Sequence, residues 1–492
     1  MLDVRAWAAS FDVNARPWLL LGKGPSLDRA AGVDRDRYFT FALNHVAREF
    51  PVTVAHAADI EVVRDCGDAI RANARWLLMP RHPHEGHRPS PRTLADFVAE
   101  IPVLADLDRE GRLAWYNLST SPPHGDSPVI RCDSFSAETA LNLLVAAGAR
   151  EVRTLGIDGG AAYSPRFDDL RGRTLLSNGL PSFDVQFQAI ARTLRRSRVL
   201  FAPLGVEAPV RVFVGAADEE RLATRVLEYS IRKHASLSVE LAPIDVAPVP
   251  VPRDAGNQAR TRFSFARFRI PELRGFAGRA VYLDSDMLVF RDIARLWTTP
   301  MDGAHALYAP APPERGRPPQ MSVMLLDCAA LRWDVREIVR GLDEKRYAYH
   351  DLMRELCIVP RERVRMSLPA EWNSLEHYEH GRTCLLHYTD VPLQPWLAPG
   401  NPHAPLWYAA LREALDEGFI AEPFVREEVA RGHVHRDLPV WIGIDPAPPR
   451  GLVSRVAARL RRGRVGRWLV DESPIGAALR IALGRRKKTG PV

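Results

Sequence analysis

Cysteine is scarce in this 492-residue chain, and its five copies (Cys66, Cys132, Cys328, Cys357, Cys384) are odd in number and widely scattered. That excludes a disulfide framework and any cysteine-based metal ribbon, and it predicts reduced, mostly buried thiols in a cytoplasmic protein. The opening Met1-Leu-Asp-Val-Arg-Ala-Trp has neither the basic n-region nor the apolar h-region of a secretory signal. No apolar run reaches the roughly 18 residues that a membrane-crossing helix needs. Internal repeats are lacking too, and the one biased tract is a basic tail. What remains is ordinary globular composition, 46% apolar and 26% charged. The length is too great for one core and implies two domains, or three.

The net charge of +7 is concentrated at one end. Residues 450–492 hold twelve Arg and Lys against Asp471 and Glu472, a net +10 that leaves −3 for the rest. Arg455, Arg459 and Arg462 share one helical face, with Val453, Val456 and Leu460 toward another and Trp468 following. Such a segment reads as a contact with an anionic membrane surface or as a solvated tail. No recognition motif supports a nucleic-acid partner.

The first ~200 residues alternate strand-like and helix-like stretches. Trp18–Leu21, Tyr38–Leu43, Pro51–Val54 and Trp76–Met79 read as strands, and Phe135–Ala149 as an amphipathic helix capped by Ser134 or Ser136, with Gly148 near its end. Glu151–Ile157 then leads into Asp158-Gly-Gly160. This alternation implies a parallel, doubly wound sheet with its loops at the strand C-termini. The pattern restarts with the Val210–Val214 strand. A helical period over Phe263–Leu273 precedes an apolar strand ending in Asp284-Ser-Asp286, and later come the Met321–Asp327 and Leu385–Tyr388 strands.

The Asp284–Asp286 pair directs the functional reading. Residues one apart on an extended backbone share a side, so Asp284 and Asp286 form a hard anionic pair suited to holding a divalent cation against a diphosphate. Two other such triplets, Asp34-Arg-Asp36 and Asp106-Leu-Asp108, follow no apolar strand and read as solvated turn or helix-start carboxylates.

Residues ~208 to ~415 resemble a family 8 glycosyltransferase, on four landmarks in order: Val212-Phe-Val-Gly-Ala-Ala-Asp218, Phe265-Ala-Arg-Phe268, Tyr282-Leu-Asp-Ser-Asp286 and His387-Tyr-Thr-Asp-Val-Pro-Leu-Gln-Pro-Trp396. The resemblance implies a GT-A fold and Mn²⁺ or Mg²⁺ held by Asp284, Asp286 and His387. It implies a UDP-sugar donor whose base meets Asp218, with Arg267 and Asp351 at the donor sugar and phosphate, and transfer with retention. Two departures stand out. Gln394 occupies the place of a lysine common in the family, one residue further from His387. In Tyr349-His-Asp351 only the last residue fits the family's acidic–glutamine–acidic segment.

Residues ~15 to 200 resemble family 42 sialyltransferases and the related motility-accessory-factor domains, through Leu21-Gly-Lys-Gly-Pro-Ser-Leu27, Asn44 and Leu155-Gly-Ile-Asp158. A nucleotide-sugar site at Gly22, Gly24, Ser26 and Asn44 is what this implies, the loop offering backbone N–H groups to a phosphate. His56, His82, His84 and His87 are histidine candidates without supporting spacing.

The resulting expectation is an α/β protein of two doubly wound, Rossmann-like domains, 1–205 and 208–445, the second a GT-A fold, with a basic tail over 446–492. Its expected role is metal-dependent hexosyl transfer from a UDP-sugar to a surface glycan or lipid-linked acceptor at the cytoplasmic membrane face. Two alternatives stand: a bifunctional transferase whose first domain uses a CMP-sugar, and a non-catalytic nucleotide-sugar-binding or assembly protein.

Overall fold

A computed structural model describes residues 1–244, 249–258, 263–311 and 321–446. The basic stretch from Arg450 onward lies outside the described residues. Contacts gather Met1–Tyr388 into one compact unit and the described residues from Thr389 onward into another. The chain is α/β, and the first unit contains two large sheets built in succession.

The first sheet runs in the order Leu2–Asp3, Leu113–Leu118, Ala74–Pro80, Val52–His56, Phe39–Leu43, Trp18–Leu21, Glu151–Leu155, Leu200–Pro203, with Val129–Ile130 attached to Leu113–Leu118. Every pairing in it is parallel. Parallel strands are covered on both faces, which is why they read as unbroken apolar runs. Trp18 and Leu20 enter one core with Phe41, Trp76 and Leu141, whereas Leu19 and Leu21 enter the opposite one with Ala42, Leu77 and Phe97. From Trp18–Leu21 the strands progress outward in one direction, and Glu151–Leu155 then joins the other side. The crevice between these two strand ends is the topological switch point, where doubly wound sheets take ligands.

Two loops meet there at unusually short range. A Cβ on Gly22 would lie 2.3 Å from the Gly156 carbonyl oxygen, and one on Gly156, whose φ is +73°, would lie 2.1 Å from the Gly22 oxygen. The backbone closes the contact: Gly22 N–H donates to Leu155 O (2.8 Å) and Gly24 N–H to Gly156 O (2.9 Å). Asp158 accepts from Ser26 N–H at 2.7 Å and from the Ser26 hydroxyl at 2.5 Å, and that hydroxyl accepts from Gly156 N–H at 2.7 Å.

Local expectations differ from the structure in two places. The helix spans Ser136–Ala146 with Phe135 at its N-cap and no capping hydroxyl. Instead the Glu138 carboxylate turns back to accept from Asp133 N–H and from Ser134 N–H, a stronger acceptor for those amides than serine. Asp106 and Asp108 lie near the C-terminal end of the Pro102–Arg109 helix rather than at a helix start. Asp106 is paired with Arg71 and Arg109, and Asp108 with the chain's amino terminus. Asp34 does sit in a turn, accepting from Asp36 N–H.

The second sheet has the order Val239–Pro243, Val210–Gly215, Arg279–Asp284, Val323–Asp327, Leu307–Pro310, Val364–Leu368. Its first three strands are mutually parallel and Val323–Asp327 runs against them. Beyond Ser285 the chain enters a smaller sheet, in which Met287–Val289 pairs antiparallel with Leu385–His387 and Met287 faces His387. In the second unit, helices Ala404–Asp416, Glu422–Ala430 and Leu438–Trp441 accompany a Trp396–Trp407 contact with ring centroids 5.4 Å apart. Gln394 is buried in that unit.

The loop lock at the switch point yields a test. Gly156→Ala forces a Cβ into the Gly22 carbonyl at a φ that L-residues avoid, and the expected loss is at least ~2 kcal/mol in chemical denaturation. A loss below about 0.5 kcal/mol would mean that the two loops separate freely.

Candidate functional site

Tyr282 and Asp284 alternate onto one face of their strand, and the Tyr282 hydroxyl donates to Asp284 Oδ1 at 2.5 Å. Arg267, on the short 3₁₀ turn Arg267–Arg269, also reaches toward this atom, its Nη2 3.7 Å away. The guanidinium is buried, donates from Nη1 to Met321 O at 2.9 Å, and lies 4.6 Å over the Tyr282 ring. The bend at Ser285 carries Asp286 toward the small sheet, where His387 Nε2 lies 3.0 Å from Asp286 Oδ1 and 4.0 Å from Asp284 Oδ2. One ligand atom from each of Asp284, Asp286 and His387 lies within 4.8 Å of the others. The far side of the imidazole is fixed by Asn373, with Oδ1 3.0 Å from His387 Nδ1.

Charge explains the arrangement. Burial pushes the Asp284 carboxyl above its usual range and Asp286 adds to this, while Arg267 opposes it. Burial disfavours a charged His387, but the Asp286 and Asp284 carboxylates outweigh it, so the imidazole stands above its ordinary value. His387 and Arg267 are the cationic partners closest to the two carboxylates. A divalent ion fits this donor set: two hard oxygens and an imidazole nitrogen converge, with the ring orientation fixed from behind as metal-ligating histidines require.

Three contributors lay outside the sequence reading. Tyr282 was visible only as part of the strand, and Asn373 reaches His387 from fourteen residues upstream. Glu220 gave no signal: it closes the turn after the Val210–Gly215 strand by accepting from Ala217 N–H at 2.8 Å. Burial, reinforced by Asp286, pushes its carboxyl up to about 7.

The remaining residues separate. Asp218 is exposed at the first position of the Asp218–Glu220 turn, three residues beyond Gly215, the strand residue paired with Asp284. Asp351 opens the turn Asp351–Glu355, where its carboxylate accepts from Ala348 N–H (2.9 Å) and faces His350 (2.8 Å). The structure gives it no hydrogen bond or ion pair to the Asp284–Asp286–His387 group. Trp372 is buried in the core with Leu283 and Val323.

At the switch point of the first sheet lies a cavity of about 620 Å³, lined by Gly22, Lys23, Gly24, Asn44, Asp59 and His87 among others. The amides of Gly22, Gly24 and Ser26, expected to cradle a phosphate, are donated to the Gly156–Asp158 loop and its preceding residue. Asn44 takes φ +51° and donates from Nδ2 to Ser136 at 3.3 Å, its buried Oδ1 accepting no hydrogen bond. Lys23 replaces the amides as the cationic feature. It donates to Thr174 Oγ1 at 3.1 Å, sits 4.3 Å over the Tyr163 ring, and burial pulls it down to about 8. His56 is fully buried beneath, with Nε2 2.8 Å from the Tyr116 hydroxyl, and burial holds it at about 3.

The family match falls on the second sheet. The profile of the family described as "Glycosyl transferase family 8" matches residues 253–336. Protein CDI of Arabidopsis thaliana is 37% identical over 103 residues, which are 20% of this chain and 39% of that protein. Glycosyltransferase 8 domain-containing protein 1 of Xenopus laevis is 42% identical over 53 residues, 11% of this chain and 15% of the relative. The chain therefore spans less than half the length of either curated relative. Among solved structures, the apo form of the glycosyltransferase GlyE of Streptococcus pneumoniae TIGR4 aligns with a TM-score of 0.30 at 17% identity, over 43% of this chain and 64% of that one.

The role of Asn373 is directly measurable. Asn373→Ala frees the imidazole, and Mn²⁺ affinity by calorimetry is expected to fall about 10- to 100-fold. In the unaltered protein affinity should also weaken on acidification, because proton and cation compete for His387 Nε2. Unchanged affinity in Asn373→Ala would remove it from the site. The strand that bears the Asp284–Asp286 pair lies within residues 253–336, the stretch that the glycosyl transferase family 8 profile matches.

Proposed function

We propose that this protein is a metal-dependent glycosyltransferase that moves a hexose from a UDP-sugar to a surface glycan or lipid-linked acceptor with retention of configuration. The observation that carries this reading is the convergence of Asp284, Asp286 and His387 ligand atoms within 4.8 Å, inside the family 8 segment. A Mn²⁺ or Mg²⁺ ion held by these three residues would supply Lewis-acid stabilisation of the diphosphate leaving group.

The protein's own groups do the remaining work. Asp284 is held in place by Tyr282, and Asn373 orients His387 so that Nε2 faces the carboxylates. Arg267, already desolvated and anchored on Met321 O, adds a fixed positive charge beside the site. A preorganised cation of this kind counts most where charge develops on the departing phosphate, because it needs no reorganisation. Asp218, at the end of the neighbouring strand, is assigned to the donor base, and Asp351 to the donor sugar. Retention follows from the family resemblance, and under it the departing phosphate takes the acceptor proton on the same face.

The working location is the cytoplasmic face of a membrane, with the basic tail as the anionic-surface contact. Among the described residues no helix is long and apolar enough to cross a membrane. A second reading, in which the first sheet also transfers from a CMP-sugar, is favoured by the cavity at the switch point. The non-catalytic reading draws on Gln394 and the Tyr349-His350 departure.

Donor hydrolysis over UDP-, GDP- and CMP-sugars, with and without Mn²⁺, separates these readings. The expected result is Mn²⁺-dependent turnover of a UDP-sugar that falls at least ~100-fold in Asp286→Ala. CMP-sugar turnover untouched by Asp286→Ala would place a second activity in the first sheet. Absence of metal-dependent turnover with every donor would contradict the main reading.

A further inference from the structure

The mouth of the first-sheet cavity holds three groups that the glycosyltransferase reading does not use. Ser177 Oγ lies 3.0 Å from His87 Nε2, and His87 Nδ1 lies 3.4 Å from Asp59 Oδ1. Asp59 precedes the Ile60–Asn73 helix at its N-cap, and its Oδ1 is buried and accepts no hydrogen bond. A second imidazole, His84, stands 3.9 Å from the same oxygen. The three members come from separate segments, so their alignment is a product of the fold and not of sequence proximity.

The backbone holds the histidine in place. His87 and Gly86 form the two-residue turn between the strands His84–Glu85 and Arg88–Pro89, with φ of +64° and +58°. Both central residues of such a turn need positive φ. The hairpin is tied to the helix start by His84 N–H to Ala58 O (2.8 Å) and Gly86 N–H to Glu61 Oε1 (3.1 Å). On the other side Leu176, just before Ser177, also takes positive φ, +50°. Non-glycine residues in this region concentrate where a side chain must be presented at a set angle.

Tautomer logic follows from the order of the groups. With the Nδ1 proton directed at Asp59, Nε2 is left with its lone pair toward Ser177, able to take the hydroxyl proton. A nucleophile, a base and an orienting carboxylate in this sequence activate a serine regardless of fold. Inside the cavity, Lys23 makes no ion pair with a carboxylate among the described residues; its partners are the Thr174 hydroxyl and the Tyr163 ring. Thr174 O, 3.3 Å from Ser177 Oγ, is the alternative acceptor for the serine proton, so the same residue touches both the ammonium and the serine. Tyr163, Phe183 and Phe135 form an aromatic wall, with successive ring centroids 5.7 and 5.2 Å apart.

We propose that Asp59, His87 and Ser177 form a second catalytic centre, a serine esterase site acting on an acyl ester of a small molecule that carries an anionic group. Ser177 Oγ attacks the acyl carbonyl carbon, forming the Oγ–C bond. His87 Nε2 takes the hydroxyl proton and passes it to the departing alkoxide as the ester C–O bond breaks. Water then attacks the acyl-serine, its proton passing through His87 to Ser177 Oγ, and the products are an alcohol and a carboxylic acid. Lys23 holds the anionic group of the substrate, and Asp59 is a positioning residue that acts through His87. This activity is independent of the metal site and goes beyond the transferase reading.

The test uses the full-length protein and a fluorescent alkyl fluorophosphonate, which marks activated serines. The expected result is covalent labelling located at Ser177 by peptide mass spectrometry, lost in Ser177→Ala and reduced at least ~100-fold in rate in His87→Asn. Asparagine tolerates the positive φ at this turn, so His87→Asn retains the hairpin. Asp59→Asn is expected to lower the maximal labelling rate about tenfold or more with the half-saturating probe concentration unchanged, a split that simple distortion of the cavity would not give. Hydrolysis of 4-nitrophenyl acetate should follow the same order of variants. Labelling absent from Ser177, or labelling equally fast in His87→Asn with the circular dichroism spectrum preserved, would overturn the proposal.

Discussion

Two carboxylates at the end of one apolar strand repel each other, and burial makes that repulsion worse. The second half of the chain is organised around relieving it. Arg267 approaches Asp284 from a short turn, Tyr282 donates to it from two residues upstream, and His387 is carried by an antiparallel pairing to within 3.0 Å of Asp286. Of the basic groups that meet the carboxylates, one is a fixed guanidinium and the other an imidazole whose Nε2 can carry a proton or a metal. That asymmetry fits a metal site: a divalent ion held there would take the place of the proton on His387 Nε2, with Arg267 as the fixed charge beside it. Asn373 and Met321 are the outer supports that stop either cation from turning away.

The first sheet solves a different problem with different means. Its two central loops are packed so closely that neither Gly22 nor Gly156 has room for a side chain. The result is a rigid floor under a cavity whose walls come from distant segments. Rigid floors with side chains gathered above them are how doubly wound sheets build sites. The backbone amides of the glycine loop are spent on the lock, so the polar groups that line the cavity are largely side chains, among them Lys23, Asn44 and Asp59.

Much of this was legible in the chain. Unbroken apolar tetrapeptides such as Trp18–Leu21 announced parallel strands, and strand–helix alternation announced a doubly wound sheet, because burial on both faces leaves no polar alternation. The Asp284–Asp286 pair stood out for its apolar lead-in, and His387 for the motif around it. Less accessible were features that depend on register or on long chain separation. The approach of Glu220 to Asp286, the support of His387 by Asn373, and the alignment of Asp59, His87 and Ser177 follow from how strands and loops are brought together, and no local spacing encodes them. The glycine loop shows the opposite case. Its composition suggested a phosphate cradle, whereas the same glycines serve close loop packing, since both demands select residues without a Cβ.

The central claim is that Asp284, Asp286 and His387 are one metal centre. The most direct measurement is anomalous diffraction at the manganese edge from crystals grown with MnCl₂ and UDP. The account predicts a single strong peak bounded by the two carboxylates and His387 Nε2, with diphosphate density beside it. A manganese peak elsewhere on the chain, with these three side chains left as a hydrogen-bonded cluster, would contradict it.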